Sequence, residues 1–146
     1  MLRRLSNLNF LFLRSAFLIS LGGTLGSLYF SEILKYPPCV LCWYQRICLY
    51  PLVLIFGTAL WSEDANYKRY ALPLAVVGGL IAAYHNLIYY GFISEALTPC
   101  TEGISCSSKQ LELFGFVTIP LLSLIGFLMI CSLMTINLKK GLIGEK

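Results

Sequence analysis

CVLCWYQRICLYPLVLIFGTALW, residues 39–61, opens on two cysteines separated by two residues, and from Ile47 to Trp61 it carries no charge. About 20 such residues, rising about 1.5 Å each as a helix, cross the roughly 30 Å hydrocarbon core of a bilayer. The stretch therefore reads as a membrane helix with a dithiol at its mouth. Working outward, three further runs are long and apolar enough to do the same, so the four spans are 12–33, 42–61, 70–93 and 115–136. The chain is 58% hydrophobic and 12% charged, about half the charge of a soluble domain. With short connections between the spans, 146 residues hold one domain: an all-α, integral membrane four-helix bundle occupying 1–146. The first run is too long for a signal-peptide core and lacks a small-residue cleavage pattern, so it is read as a retained helix.

The net charge of +4 is modest, and its distribution matters more than its size. It gives no reason to expect nucleic acid. Arg3, Arg4 and Arg14 flank the first span, Lys68 and Arg69 lie in the second loop, and Lys139, Lys140 and Lys146 lie in the tail. The other two loops hold Lys35, Arg46 and Lys109. The positive-inside rule then places both termini in the cytoplasm. The two loops with paired cysteines, Cys39–Cys42 and Cys100–Cys106, face outward. That is the compartment in which disulfides form and persist.

A C-x-x-C pair closes too small a loop to be a useful staple, but one thiolate lies beside a ready exchange partner. Pro37 and Pro38 suit the first turn of a helix, so Cys39 and Cys42 fall near its unpaired N–H groups, where a thiolate is favoured. Arg46 follows Cys42 by four residues and shares its helical face. Bringing a thiol from pKa about 8.5 to about 7 takes about 2 kcal/mol, and a cation about 4 Å away offers about 4 kcal/mol at an effective dielectric near 20. A zinc site would have to draw four thiolates from the two pairs, in a compartment where free thiols do not persist. Redox activity is the reading adopted.

Cys100 and Cys106, taken alone, read as a loop staple; beside the first pair they read as its relay. Ser107 and Gln110 have capping-box spacing, and the helix they start is expected to run through LELFGF into the fourth span. Cys48 and Cys131 lie within spans and read as small buried hydrophobes. His85 is placed eight residues before the outer end of the third span, about 12 Å deep, at the level of Arg46. Two polar residues at one depth suggest a shared pocket. Trp43, Tyr44, Tyr89 and Tyr90 suit either stacking on a ring or interfacial anchoring. Gly22, Gly23 and Gly26 are read as close-packing positions. No nucleotide-binding or c-type haem motif occurs, so the acceptor for a strongly oxidising dithiol at the bilayer is expected to be lipid-soluble, such as a quinone.

CVLCWYQR at the start of a second membrane helix, a later outward pair, and FGFVTIP before the fourth span resemble the disulfide-bond formation protein B (DsbB) family, in its compact BdbC-like type. The resemblance implies a bacterial cytoplasmic-membrane bundle. It takes electrons from an extracytoplasmic DsbA/BdbD-like thioredoxin-fold oxidase and passes them to menaquinone or ubiquinone. Carried over, Cys39 and Cys42 match the quinone-coupled pair, with Cys42 facing the ring, and Arg46 matches the arginine that supports the quinone. Cys100 and Cys106 match the partner-facing pair, with Cys100 the point of attack, and His85 matches a histidine of the third helix. The second pair is more closely spaced here than in longer members. The vitamin K epoxide reductase family shares four helices and cysteine pairs, but in the reverse order. A different class of reading is a non-enzymatic four-span protein with stapled or metal-binding outer loops.

Overall fold

The computed structural model describes residues 7–64, 66–94, 112–113 and 117–143. Its helices are α1 (Asn7–Leu28), continued by a π-helical turn over Tyr29–Ile33, then α2 (Val40–Ser62), α3 (Lys68–Tyr89) and α4 (Ile119–Ile143). Among the described residues, four helices are long and apolar enough to cross a bilayer. Leu11, Leu18, Leu25, Leu54, Leu80 and Leu128 are exposed on the outside of the bundle. Lipid solvates such side chains and water does not. The principal packing pairs join the helices in the cyclic order α1–α2–α3–α4.

Small residues set how closely the helices approach. The inward stripe of α3 is Ala71, Ala75, Gly78 and Ala82, continued by His85, all buried. Their spacing alternates four and three residues, which keeps one helical face toward the neighbours. Facing it, α2 buries Leu41, Gln45, Cys48, Leu52, Phe56 and Ala59, while α4 inserts Phe127, Ile130 and Met134. A methyl group built on Gly78 would run into the Phe127 ring and come 3.0 Å from the Cys48 β-carbon. Gly78→Leu is therefore expected to separate α3 from α4, at about 1–3 kcal/mol of overpacking. A lowered midpoint for thermal unfolding in detergent, with Gly22→Ala close to wild type, is the measurement that checks it. Cys48 belongs to this core, as read from the sequence, while Cys131 is half-buried and packs against it.

Two ends differ from the sequence reading. Helix α3 stops at Tyr89, four residues short of the expected 93, because the chain turns left-handed at Gly91 (φ 77°). There Phe92 N–H donates to the Leu87 carbonyl at 2.9 Å and Gly91 N–H to the Ile88 carbonyl at 3.0 Å. Such a pair of bonds closes a helix where glycine takes the left-handed position. His85 is thus one turn from the helix end, about 6 Å rather than about 12 Å.

The second difference precedes α4. Where helix was expected, Glu112–Leu113 and Val117–Thr118 form a two-residue antiparallel pairing, Glu112 opposite Thr118 and Leu113 opposite Val117. Val117 and Thr118 are β-branched and Gly115 is a poor helix former, so local preference opposes a helix here. Thr118 instead caps α4, its Oγ1 accepting the Leu121 N–H at 3.3 Å. Pro120 then sits in the first turn, where its missing N–H costs nothing. The expected cap at Ser107 lies outside the described residues. Asn86 ties this start to α3, with Nδ2 donating to the Pro120 carbonyl at 2.9 Å and to the Ala82 carbonyl at 2.8 Å.

Candidate active site

Pro37 and Pro38 keep the chain out of the helix until Cys39, which adopts an extended conformation (φ −70°, ψ 169°) and is the N-cap of α2. Its Sγ accepts the Cys42 N–H at 3.4 Å. This is the role a serine oxygen takes at helix starts. The cap also brings the second thiol round, so that the sulfurs of Cys39 and Cys42 stand 2.9 Å apart. Closing a disulfide, at about 2.05 Å, takes a movement of less than about 1 Å.

The tertiary fold adds His85. Its Nε2 lies 3.8 Å from the Cys39 Sγ, and its Nδ1 lies 3.1 Å from Nε2 of Gln45. With the amide turned this way, the tautomer that fits accepts the Gln45 N–H at Nδ1 and carries its proton on Nε2, toward the sulfur. The Cys39 thiol is held down at about 4, from an ordinary 9.0, chiefly by the Cys42 hydrogen bond and then by His85, against the opposing effect of burial. The thiolate of Cys39 is therefore favoured over that of an ordinary cysteine.

A thiol held so low is charged above pH 4 in the fold but only above about pH 9 when unfolded. The reduced site thus gains stability as pH rises through this window and loses it as pH falls through about 4. Alkylation of Cys39 is expected to follow the low midpoint, and in His85→Ala the midpoint should move upward. Stopped-flow alkylation with peptide mapping, in a Cys42→Ala background as well as wild type, separates the contributions of the thiol and the imidazole. An unmoved midpoint in His85→Ala would remove the imidazole from the account.

Arg46 lies one turn deeper on α2 and is buried. Its Nη2 donates to the Ser27 carbonyl of α1 at 2.9 Å, and its guanidinium lies 5.4 Å from the centre of the Trp43 ring. The group at the Cys39 sulfur is therefore His85, while Arg46 holds α1 and α2 together. One described bond uses one of five guanidinium N–H donors.

Cys39, Cys42, Arg46 and His85 all line one cavity of about 440 Å³, with Gln45 and Tyr89. The volume falls in the range of small-molecule pockets, about 300–1,000 Å³. Most of its remaining wall comes from α1 and α4, with Tyr36–Pro38 and Leu49 completing it, and exposed Leu122, Ile125 and Met129 put its opening on the outer face of the bundle. The glycines of α1 behave differently from expectation. Gly23 abuts Leu49 of α2, a methyl there meeting Cδ2 at 3.3 Å, but Gly22 and Gly26 face open space, as does Gly126 of α4. These three line the cavity and give it room instead of a close helix contact.

The shared pocket expected for Arg46 and His85 is present. Cys100 and Cys106 lie outside the described residues. Sequence reasoning passed over Gln45, whose signal was its place on the apolar stripe Leu41–Gln45–Cys48–Leu52. An uncharged polar residue there needs a buried partner. Of the aromatic residues, Tyr89 lines the cavity, Trp43 lies beneath Arg46, and Tyr44 and Tyr90 are exposed.

A dithiol at the lip of an apolar cavity, in a four-helix membrane bundle, defines a class of membrane-embedded thiol proteins. The family model described as disulfide bond formation protein DsbB matches residues 9–137, and the chain belongs to that family. It is 45% identical over 135 residues to disulfide bond formation protein C of Bacillus subtilis, covering 92% of this chain and 94% of the relative. It is 46% identical over 122 residues to probable disulfide formation protein C 2 of Bacillus anthracis, covering 84% and 86%. A probable disulfide formation protein of Metapseudomonas resinovorans is 42% identical over 120 residues, covering 82% and 83%. No solved structure matches the chain. The protein is a multi-pass membrane protein of the DsbB family.

Proposed function

We propose that this chain is a quinone-coupled protein-disulfide oxidoreductase, a single transmembrane domain of the bacterial cytoplasmic membrane. Its termini are cytoplasmic and its cysteine loops face outward. The observation that carries the reading is the Cys39–Cys42 pair at an apolar cavity that opens on the outer face of the bundle beside Arg46 and His85. A cavity reached from lipid suits an acceptor dissolved in lipid. Its apolar walls and the open space at Gly22, Gly26 and Gly126 suit a flat quinone ring, menaquinone or ubiquinone. Arg46 and His85 both line this cavity, which supports a bond from the guanidinium to a quinone carbonyl oxygen.

When bound, a quinone supplies a two-electron, two-proton acceptor. The protein's own steps are thiol–disulfide exchanges. A thiolate of a DsbA/BdbD-like oxidase attacks Cys100, and Cys106 leaves. Cys106 attacks Cys39, breaking the Cys39–Cys42 disulfide and freeing Cys42 at the cavity. The partner's second thiolate closes its own disulfide and releases Cys100, which attacks Cys106 and expels Cys39. Cys39 leaves readily because Cys42 and His85 stabilise its thiolate, and a sulfur of low pKa is the better leaving group. Two electrons have then passed from the partner to Cys39–Cys42, and the outer disulfide is restored.

Reduced partner added to proteoliposomes should bleach the quinone absorbance in step with its own oxidation; no change in quinone redox state would refute the reading. A partner lacking its resolving cysteine should become trapped on Cys100 in the Cys106→Ser variant, as shown by a non-reducing gel and peptide mapping. A cross-link at Cys39 would mean that the partner bypasses the second pair, which would then be a staple.

A further inference from the structure

We propose that the reduced Cys39–Cys42 pair and His85 form a binding site for a thiophilic d¹⁰ cation, Zn²⁺, which exists in the dithiol state and is abolished by the disulfide. Three donor atoms converge there. The two sulfurs are 2.9 Å apart, Cys39 Sγ is 3.8 Å from His85 Nε2, and all three lie within 4.8 Å of one another. Tetrahedral Zn²⁺, with bonds of about 2.3 Å to sulfur and about 2.0–2.1 Å to nitrogen, holds two sulfurs about 3.8 Å apart and a sulfur and nitrogen about 3.6 Å apart. The Cys39–His85 spacing already fits. The sulfurs need to separate by about 0.9 Å for the metal, whereas they must approach by about the same amount for a disulfide. The two occupants of the pair exclude each other.

Charge supports the choice of ion. Two thiolates and a neutral imidazole balance a dication, so the occupied site is neutral, and a neutral unit is tolerated under apolar walls beside the Arg46 cation. Mg²⁺ and Ca²⁺ seek oxygen and find none in this donor set. From Cys39 thiolate, Cys42 thiol and neutral His85, two Zn–S bonds and one Zn–N bond form. The Cys42 S–H bond breaks, and one proton is released. The ring proton moves from Nε2 to Nδ1, where Gln45 turns its amide oxygen to accept it. No electrons change hands. The fourth zinc position faces the cavity.

Binding itself is independent of the proposed function. Its consequence rests on that reading: a bound ion holds the pair reduced and stalls turnover. The test uses the full chain in detergent with Cys100→Ser and Cys106→Ser, so that no second dithiol competes, reduced with a phosphine that does not bind metal. Cd²⁺ is titrated by its sulfur-to-metal absorption and displaced with Zn²⁺. One ion per chain is expected in the dithiol protein and none after oxidation. His85→Ala should weaken binding 10-fold or more. Gln45→Glu should tighten it, because a carboxylate accepts the Nδ1 proton of a metal-bound histidine better than an amide does. Zn²⁺ should also protect Cys42 of the otherwise unaltered protein from alkylation, a readout that needs no His85 variant to fold. Equal binding after oxidation, binding indifferent to His85→Ala, or no protection of Cys42 would overturn the site. Quinone reduction that fails in metal-free protein would instead refute the proposed function and leave the metal site standing.

Discussion

Cys39→Ser and Cys42→Ser are each expected to lower quinone reduction by about 10³-fold or more, because in the proposed relay a residue that carries the electrons has no substitute. The fold should survive both. Cys39 is an N-cap, and serine is among the best residues at that position, so its Oγ takes over the Cys42 N–H. Cys42 is half-buried at the cavity rim, and a hydroxyl there can bond within its own helix turn. Turnover measured in proteoliposomes, beside helical content and thermal midpoint in detergent, separates chemistry from folding. Wild-type quinone reduction by either variant would end the relay.

Arg46→Met is expected to raise the apparent KM for quinone about 10- to 100-fold, the equivalent of about 1.4–2.8 kcal/mol, which is what hydrogen bonds from a charged donor are worth. Methionine keeps the length and apolar stem but loses the guanidinium. The variant therefore also loses the bond to the Ser27 carbonyl that links α2 to α1. That loss should register as modest destabilisation, since an apolar side chain is welcome at this depth in a membrane. Arg46→Lys keeps the charge without the planar fork and should recover only part of the affinity. A fall in kcat at unchanged KM would remove the binding role and leave an electrostatic effect on the thiol pair. His85 and Gln45 would then account for most of the site's polarity.

The sequence carried the number of helices and the location of the inner dithiol. Spans can be read in one dimension because every backbone polar group in lipid must be satisfied within its own helix, which leaves long apolar runs as the signal. Pro37 and Pro38 likewise announced the start of α2, since ring geometry and the missing N–H are local facts. The end of α3 was also local but was passed over: Gly91 marks it through its left-handed backbone. The start of α4 is ambiguous in one dimension, because a capping box at Ser107 competes with Gly115 and the β-branched Val117 and Thr118. In the fold, Thr118 makes the cap.

Which side chains meet was decided by the tertiary structure. A helix apolar all round carries no stripe to tell its inner face from its lipid face, so hydropathy leaves its rotation about its own axis open. Packing settles it: the small residues of α3 admit Phe127 and turn His85 toward α2, where Gln45 and Cys39 wait. The same rotation turns Gly22 and Gly26 toward a cavity and not toward a neighbouring helix. Depth in the membrane follows from a residue's place in the chain, whereas contact across 46 residues between Cys39 and His85 follows from the rotation of two helices, which their close packing alone determines.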